Sequence, residues 1–399
     1  MPWKDTTVLD DRMKFVALCL DKELSMTELC RVFGISRKTG YKLLQRYKTF
    51  GPAGLEDIAR APHSHPNAVS EQVQQSILSM KAAHPTWGPR KLLAVLQRDA
   101  DDVCWPAAST TGAILARHGL TIPRKRRYKS SQTPRVLTQP GEPNDVWCAD
   151  FKGHFALGNG TRCHPLTITD AYSRSIIRCQ ALTRPCYEAV VPIWLGAFKE
   201  YGLPNVIRTD NGQPFASTGL TGLSALSVWW IKLGIRPERT TPGRPQQNGQ
   251  HERMHRTLKA EATKPPQMSI PAQQKVFERF SYEYNHIRPH EALGQLTPGS
   301  IYVSSQRSYP VLIPEMDYPS GMTVRRVRSN GEIRWRSHLI FLSEALRAER
   351  VGLDQIDDSH WAVYFGPVPV AILDDQDRSW LAPKVAQPII QQLLKENPI

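Results

Sequence analysis

Apolar positions in the first third of the chain recur at helical spacing and are cut by polar punctuation, which predicts two successive sets of three helices. In the first set, residues 11–20 are apolar-periodic, and Ser25-Met26-Thr27-Glu28 is a capping box opening a short helix through Phe33. After the turn Gly34-Ile35-Ser36, Ser36 caps a third helix from Arg37 to about Lys48. The second set covers residues 70–83, 89–98 and 106–118, with Pro89 at a first helical turn and Gly119 as a stop. From Val146 the period changes. Residues 146–150, 153–157, 165–169 and 175–182 read as strands, 188–201 as an amphipathic helix, 205–210 as a strand, and 224–233 as a buried helix. Antiparallel strands followed by alternating helix and strand predict an α/β domain with a mixed sheet. Short alternating runs at 322–327, 332–339, 360–365 and 368–373, with a turn at Ser329-Asn330-Gly331, predict a small β-barrel.

These patterns divide the 399 residues into a multidomain chain. All-α helix-turn-helix units are expected at 1–50 and 68–120, the second helix-turn-helix or winged-helix-like, with a Gly/Pro/His-rich linker at 51–67. A basic linker at 121–143 leads to the α/β domain at 144–302; a proline-rich linker at 303–320, the barrel at 321–376 and a tail at 377–399 follow.

A net charge of +14 points to a polyanionic partner without separating DNA from RNA or an acidic membrane. No segment approaches the ~20 apolar residues of a membrane helix. The seven cysteines include no Cys-x-x-Cys pair, which argues for reduced thiols and a cytosolic setting. The helix predicted from Arg37 would present Arg37, Lys38, Thr39, Tyr41 and Lys42, where a recognition helix meets base edges; a basic bundle that reads no groove is the plain alternative. Ser109, Thr110 and Thr111 would head the DNA-facing helix of the second unit, or simply pack. Arg124, Lys125, Arg126 and Arg127 suit both a solvated linker and an arm tracking phosphates, and Arg325, Arg326 and Arg328 make the barrel's first hairpin basic.

Three carboxylates stand out by position. Asp150 ends the run Val146-Trp147-Cys148-Ala149, Asp210 ends Asn205-Val206-Ile207-Arg208-Thr209 before the turn pair Asn211-Gly212, and Glu252 lies early in a helix predicted from Asn248 to about Ala262. Two acids at strand tips and one on a helix converge easily, and oxygen donors suit hard divalent cations. From Glu252, Arg256 is i+4 and Lys259 is i+7, so one helix face carries an acid and two cations fit for a DNA strand. Other acids compete. Asp170 fits a turn acid paired with Ser173 or Arg174, Asp145 precedes its strand, and Glu261 lies two and a half turns beyond Glu252.

The wording around the three acids carries a resemblance. Trp147-Cys148-Ala149-Asp150-Phe151-Lys152-Gly153, then Arg208-Thr209-Asp210-Asn211-Gly212-Gln213-Pro214-Phe215, then Gly243-Arg244-Pro245-Gln246-Gln247-Asn248-Gly249-Gln250-His251-Glu252-Arg253 resemble, in order, the catalytic blocks of DDE transposases of bacterial insertion-sequence type with a retroviral-integrase-like core. The 41 residues between Asp210 and Glu252 exceed the commonest spacing of that superfamily. Tyr284 to Leu293 resembles the segment that ends such cores, with His290 structural; the second helical unit and the barrel resemble modules of transposases and integrases, and a His/Cys zinc domain is not expected.

The resemblance implies a ribonuclease-H-like fold for 144–302 and two Mg²⁺ per site, replaceable by Mn²⁺. Asp150 would bridge both ions, Asp210 would hold one and Glu252 the other. It implies cleavage that frees 3′-OH ends at the terminal inverted repeats of a mobile element and joining of those ends to target DNA. It also implies double-stranded DNA and a homodimer or higher homo-oligomer as partners, no membrane, and a bacterial, nucleoid-associated, cytoplasmic protein. Two readings remain beside it: a ribonuclease-H-like nuclease without strand transfer, and a transposase-derived DNA-binding protein.

Overall fold

Capping side chains start the first helices where the sequence places them. The computed structural model describes residues 7–57, 68–121, 137–241 and 249–396, in two compact units, Met1–Val69 and Ser70–Ile399. In the first unit, α1 (Val8–Asp21) and α2 (Met26–Val32) open on capping boxes, Thr7 with Asp10 and Ser25 with Glu28. The Ser36 hydroxyl accepts the Thr39 N–H to open α3 (Arg37–Phe50), and a 3-10 turn, Gly51–Leu55, closes the unit. Phe15, Val16, Leu29, Cys30, Leu43 and Leu55 form its core. Gly40 lets α3 sit close: a Cβ there would lie 2.7 Å from Cys30 Sγ and 2.9 Å from the Phe15 ring.

The second unit begins with α4 (Glu71–Ala83), α5 (Pro89–Asp99) and α6 (Ala108–Arg117), which bury Ile77, Leu92, Leu93, Leu96, Ile114 and Leu115. These three helices cluster with the domain that follows rather than standing apart. Trp87, 3% exposed, stacks on His84 and lies under the Arg288 guanidinium. Arg288 bonds Glu261 at 2.6 Å, Thr86 bonds the same carboxylate, and Arg90 pairs with Glu291.

The α/β domain holds β1 (Val146–Phe151), β2 (Phe155–Ala156), β3 (Arg162–Asp170), β4 (Ile176–Leu182), α7 (Tyr187–Tyr201), β5 (Val206–Thr209), α8 (Ala225–Lys232), β6 (Arg236–Arg239), α9 (Gly249–Ala262), α10 (Ile270–Tyr282) and α11 (Pro298–Ile301). Its sheet runs β2-β3-β1-β5-β6, with β4 also on β3. The pairs β1/β3 and β3/β4 are antiparallel, whereas β1/β5 and β5/β6 are parallel, so the sheet is mixed as expected. α7 and α8 cover one face through Trp194, Phe198, Leu226 and Trp230 against Trp147, Ile168 and Ile207. α9 and α10 cover the other through Met254, Leu258, Phe277 and Phe280 against Cys163 and Cys179. β6, α10 and α11 are additions to the sequence expectation.

The segment expected as a linker at 303–320 is strapped to the domain instead. Arg307 donates to the carbonyls of Pro204, Leu233 and Gly234 and to Asn205 Oδ1, and Tyr309 stacks on Phe198. Beyond it, the expected barrel strands form two sheets that do not close on each other. β7 (Thr323–Arg326), β10 (Arg350–Gln355), β11 (His360–Phe365), β12 (Val368–Asp374) and β13 (Ser379–Trp380) make a five-stranded antiparallel sheet, and β8 (Glu332–Trp335) pairs only with β9 (His338–Phe341). The single strand expected at 332–339 is split because Arg336 takes a left-handed conformation, φ +50°, and turns the chain back. Val327, Ile333, Trp335, Val351, Val363 and Phe365 share one core with Val228 and Ile231 of α8, fixing this region to the α/β domain. The expected tail adds β13 and α12 (Pro383–Glu396), which buries Ala386 against Ala362, Tyr364 and Ile372.

Candidate active site

Sheet register brings the first two acids together. β1 and β5 run parallel with Ala149 opposite Thr209, so Asp150 and Asp210, the next residue along each strand's direction, lie at the same end of two neighbouring strands. Ligand sites of open α/β sheets lie at that carboxyl end. Asp210 is exposed and accepts the Gly212 N–H at 3.0 Å, while Asn211 donates to the Thr240 carbonyl at 2.8 Å and ties the turn to the chain after β6. Glu252 sits in the first turn of α9 on its exposed face, with Arg256 and Lys259 further along that face.

Asp150 feels both other acids. Its side chain is 24% exposed, and its carboxyl is pushed up to about 7, first by burial and then by the charge of Asp210, with Glu252 adding to it; the Phe151 N–H and Lys152 act the other way. A carboxylate held half-buried beside two more is poor design for an apo fold and apt for a cation. Oxygen donors of this kind suit Mg²⁺, so the residues present fit the ion.

The opposite face of α9 is buried: His251, Met254, His255, Leu258 and Ala262. Both imidazoles meet β3. Thr167 Oγ1 is 2.7 Å from His251 Nε2 and 2.6 Å from His255 Nε2, and Thr169 Oγ1 is 2.9 Å from His251 Nδ1. His255 Nδ1 lies 3.7 Å from Asp150 Oδ2. Burial drives the His251 pKa down to about 3, and burial with His251 and Lys152 drives that of His255 down to about 2, so both rings are neutral. Asp150, His251 and His255 bring donor atoms within 4.8 Å of one another, but three of the four ring nitrogens already face threonine hydroxyls. The carboxylates of Asp150, Asp210 and Glu252 do not gather that closely among the described residues; Asp210 and Glu252 act on Asp150 through their charge.

The competing acids are engaged elsewhere. Asp170 accepts the N–H and hydroxyl of Ser173 at 2.7 and 2.6 Å and the Asn144 N–H at 2.8 Å. Asp145 accepts the Gly141 and Glu142 N–H groups, and Glu261 holds Arg288. His290 is buried outside the carboxylate set. Its pKa is driven down to about 3 by burial and then by Lys91 and Arg288.

Among the residues expected to meet DNA, Arg37, Lys38, Thr39, Tyr41 and Lys42 are exposed on the first half of α3, although the Thr39 hydroxyl is 2.9 Å from the capping Ser36 hydroxyl. Ser109 and Thr110 are exposed at the start of α6. Thr111 is not available: it is fully buried on the same face as Ile114 and Leu115, with its hydroxyl unpaired, so the helix points it into the bundle. Arg326 and Arg328 are exposed, whereas Arg325 is half-buried, bonding the Arg334 carbonyl at 3.1 Å with its guanidinium 5.9 Å from the Trp335 ring centre. Arg124, Lys125, Arg126 and Arg127 lie outside the described residues, as does the loop 242–248 before α9. Sequence reasoning missed His251, His255, Thr167 and Thr169, whose i, i+4 spacing on a helix and i, i+2 spacing on a strand were the available signal.

Family models agree with this layout. Two models described as "Integrase core domain" match residues 140–245 and 233–298, a "Helix-turn-helix domain" matches 11–63, and a "Homeodomain-like domain" matches 39–115. A 31.7 kDa protein of insertion element IS407 from Burkholderia multivorans is 26% identical over 277 residues, 69% of this chain and 89% of the relative. Transposase InsD of insertion element IS2 from Escherichia coli is 28% identical over 229 residues, 54% of this chain and 72% of the relative. Among solved structures, the HTLV-2 integrase catalytic core in complex with magnesium is similar over 41% of this chain and 100% of its own, at 17% identity and a TM-score of 0.34. Among the described residues, no helix is long and apolar enough to cross a membrane. The chain thus carries an integrase core preceded by helix-turn-helix domains and is similar to insertion-element proteins, transposase InsD among them, which supports a DDE polynucleotidyl transferase.

Proposed function

We propose that this protein binds the terminal inverted repeats of a mobile element, cleaves there to free 3′-OH ends and joins those ends to target DNA, with Asp150, Asp210 and Glu252 as its catalytic carboxylates. The observation that carries the reading is the shared tip of β1 and β5, where Asp150 is pushed up to about 7 by burial, Asp210 and Glu252. Asp150, shared between two Mg²⁺ ions, would hold them together with Asp210 and Glu252; Mn²⁺ would substitute. Bound there, the ions would supply charge stabilisation at the attacking and leaving oxygens of an in-line displacement.

The protein's own groups do the rest. Arg256 and Lys259, on the face of α9 that carries Glu252, would hold the phosphates flanking the scissile bond. Water would first open the element end, leaving a 3′-OH; that hydroxyl would then attack a target phosphate and expel a target 3′-oxygen, so each step makes one P–O bond and breaks one. The exposed start of α3, Arg37 to Lys42, would read the ends, with Ser109 and Thr110 of α6 as a second reader. Arg124 to Arg127, Arg326 and Arg328 would contact phosphates. One site joins one 3′-end, so inserting an element calls for at least a homodimer, assembled on DNA once phosphates neutralise the +14 chain. The setting would be bacterial DNA in the cytoplasm.

The test is incubation of the full chain, Mg²⁺ and duplexes bearing the inverted repeats that flank its gene, with a plasmid target. Joined 3′-ends are expected. Nicks without joined products would favour a nuclease, and binding without either would favour a DNA-binding descendant.

A further inference from the structure

The buried side of the catalytic helix carries a proton arrangement that reaches the active site. The Thr167 hydroxyl has one hydrogen and three acceptors within reach: the Asp150 carbonyl at 3.1 Å, His251 Nε2 at 2.7 Å and His255 Nε2 at 2.6 Å. A neutral imidazole offers one N–H and one lone pair. If the hydrogen goes to the Asp150 carbonyl, both rings donate through Nε2, and His255 turns a bare Nδ1 lone pair toward the Asp150 carboxylate 3.7 Å away. If it goes to His251, that ring donates from Nδ1 to Thr169, and His255 again faces the carboxylate with a lone pair. If it goes to His255, the shortest of the three contacts, His255 carries its proton on Nδ1 and directs it at Asp150. His251 then donates from Nε2 to Thr167 and accepts the Thr169 hydroxyl at Nδ1. With Asp150 ionised, only this last arrangement turns an N–H rather than a lone pair toward its carboxylate, across 3.7 Å.

We propose that His255, held in its Nδ1–H form by Thr167, is a positioning residue that orients the Asp150 carboxylate, with His251 and Thr169 completing the clamp that fixes α9 on β3. This rests on the catalytic reading of Asp150. The clamp explains how an exposed acid, Glu252, keeps a fixed place opposite two strand tips: its neighbour His251 and the next-turn His255 are anchored to a single hydroxyl on the sheet. Partners that orient ligating groups tune affinity for the ion, so that affinity is a direct readout of the role.

Tautomers are read directly by nitrogen NMR on the full chain labelled with ¹⁵N-histidine, kept free of metal at about pH 9, where Asp150 is ionised, the two signals being assigned with His251→Gln and His255→Asn. The expected result is a protonated Nδ1 and a bare Nε2 for His255, and the reverse for His251. A bare His255 Nδ1 overturns the proposal. This readout is independent of activity, so it stands even if Asp150→Asn proves active and the catalytic reading falls. Variants supply the second measure, Mn²⁺ affinity by water-proton relaxation. His255→Asn keeps a donor near the Nδ1 position and should bind Mn²⁺ within a few-fold of wild type, whereas His255→Leu and Thr167→Val should weaken it about 10- to 100-fold. Thr167→Ser, which keeps the hydroxyl, should recover most of that loss. Equal Mn²⁺ affinity for His255→Leu and His255→Asn, both with cooperative melting, would show a space-filling role and sink the idea.

Discussion

The capping carboxylates of the first helical unit and Asp150 of the α/β domain do opposite things. Asp10 and Glu28 accept the hydroxyl and N–H of Thr7 and Ser25, and those hydrogen bonds hold both below the usual carboxylate range. Their charges favour the fold. Asp150 is half-buried against Asp210 and Glu252 and pushed up to about 7, so its charge opposes the fold. A local rule broken at one place while it is kept elsewhere marks function. The units also differ in completeness. The first closes its own core around Phe15 and Leu29, whereas α4–α6 are fastened to α9 and the chain after α10 through Trp87, Arg288, Glu261 and Glu291.

The largest stability effect should come from that fastening. Trp87→Ala should remove about 3–5 kcal/mol from the unfolding of the second unit and leave the transition of the first unchanged. Calorimetry of the full chain separates them; an equal loss in both transitions would erase the contrast.

The next concerns the strained site. With chelator present, Asp150→Asn should stabilise the protein by roughly 2–4 kcal/mol at pH 8. The sign follows from the raised pKa: between the ordinary carboxyl value of 3.8 and about 7, the folded state binds the Asp150 proton more tightly than the unfolded chain. Wild-type stability is therefore whole below that window, falls as pH rises through it, and levels off above. The gain of the variant should vanish near pH 4, and Mg²⁺ should stabilise wild type but not the variant. Denaturant titrations at both pH values check this; a destabilised variant at pH 8 would mean that the charge serves the fold after all.

Smaller effects belong to the first unit. Ser36→Ala removes the cap of α3 and should destabilise that unit by about 1 kcal/mol, seen in its own melting transition. Lys38→Ala should leave melting unchanged, since the side chain is exposed, yet weaken end binding and lower the salt slope by about 1 if it meets a phosphate. An unchanged slope would take Lys38 off the backbone.

Much of this was legible where local chemistry decides structure. Ser25 and Ser36 are caps that announce their helices, and the apolar runs before Asp150 and Asp210 are central strands. What tertiary packing decides was not. Thr110 and Thr111 look alike in sequence, but only one faces out. Arg307 sits in a proline-rich stretch that reads as a linker until the carbonyls it binds are in view. Pro388 inside α12 and Gly352 inside β10 break patterns that the fold nevertheless continues, whereas the left-handed Arg336 ends one strand and starts a turn that no local signal announced. The His251–Thr167–His255 clamp needs β3 and α9 together: each segment's spacing marks a shared face, but not that the two faces meet.

The central claim is that Asp150, Asp210 and Glu252 form one catalytic set, and paired binding and strand-transfer assays on Asp150→Asn, Asp210→Asn and Glu252→Gln test it most directly. Each variant should bind element ends within a few-fold of wild type and lose cleavage and joining by at least about 1000-fold in Mg²⁺, roughly 4 kcal/mol of transition-state stabilisation. Nicking or joining by any one of them at near wild-type rate would remove that residue from the site and contradict the account.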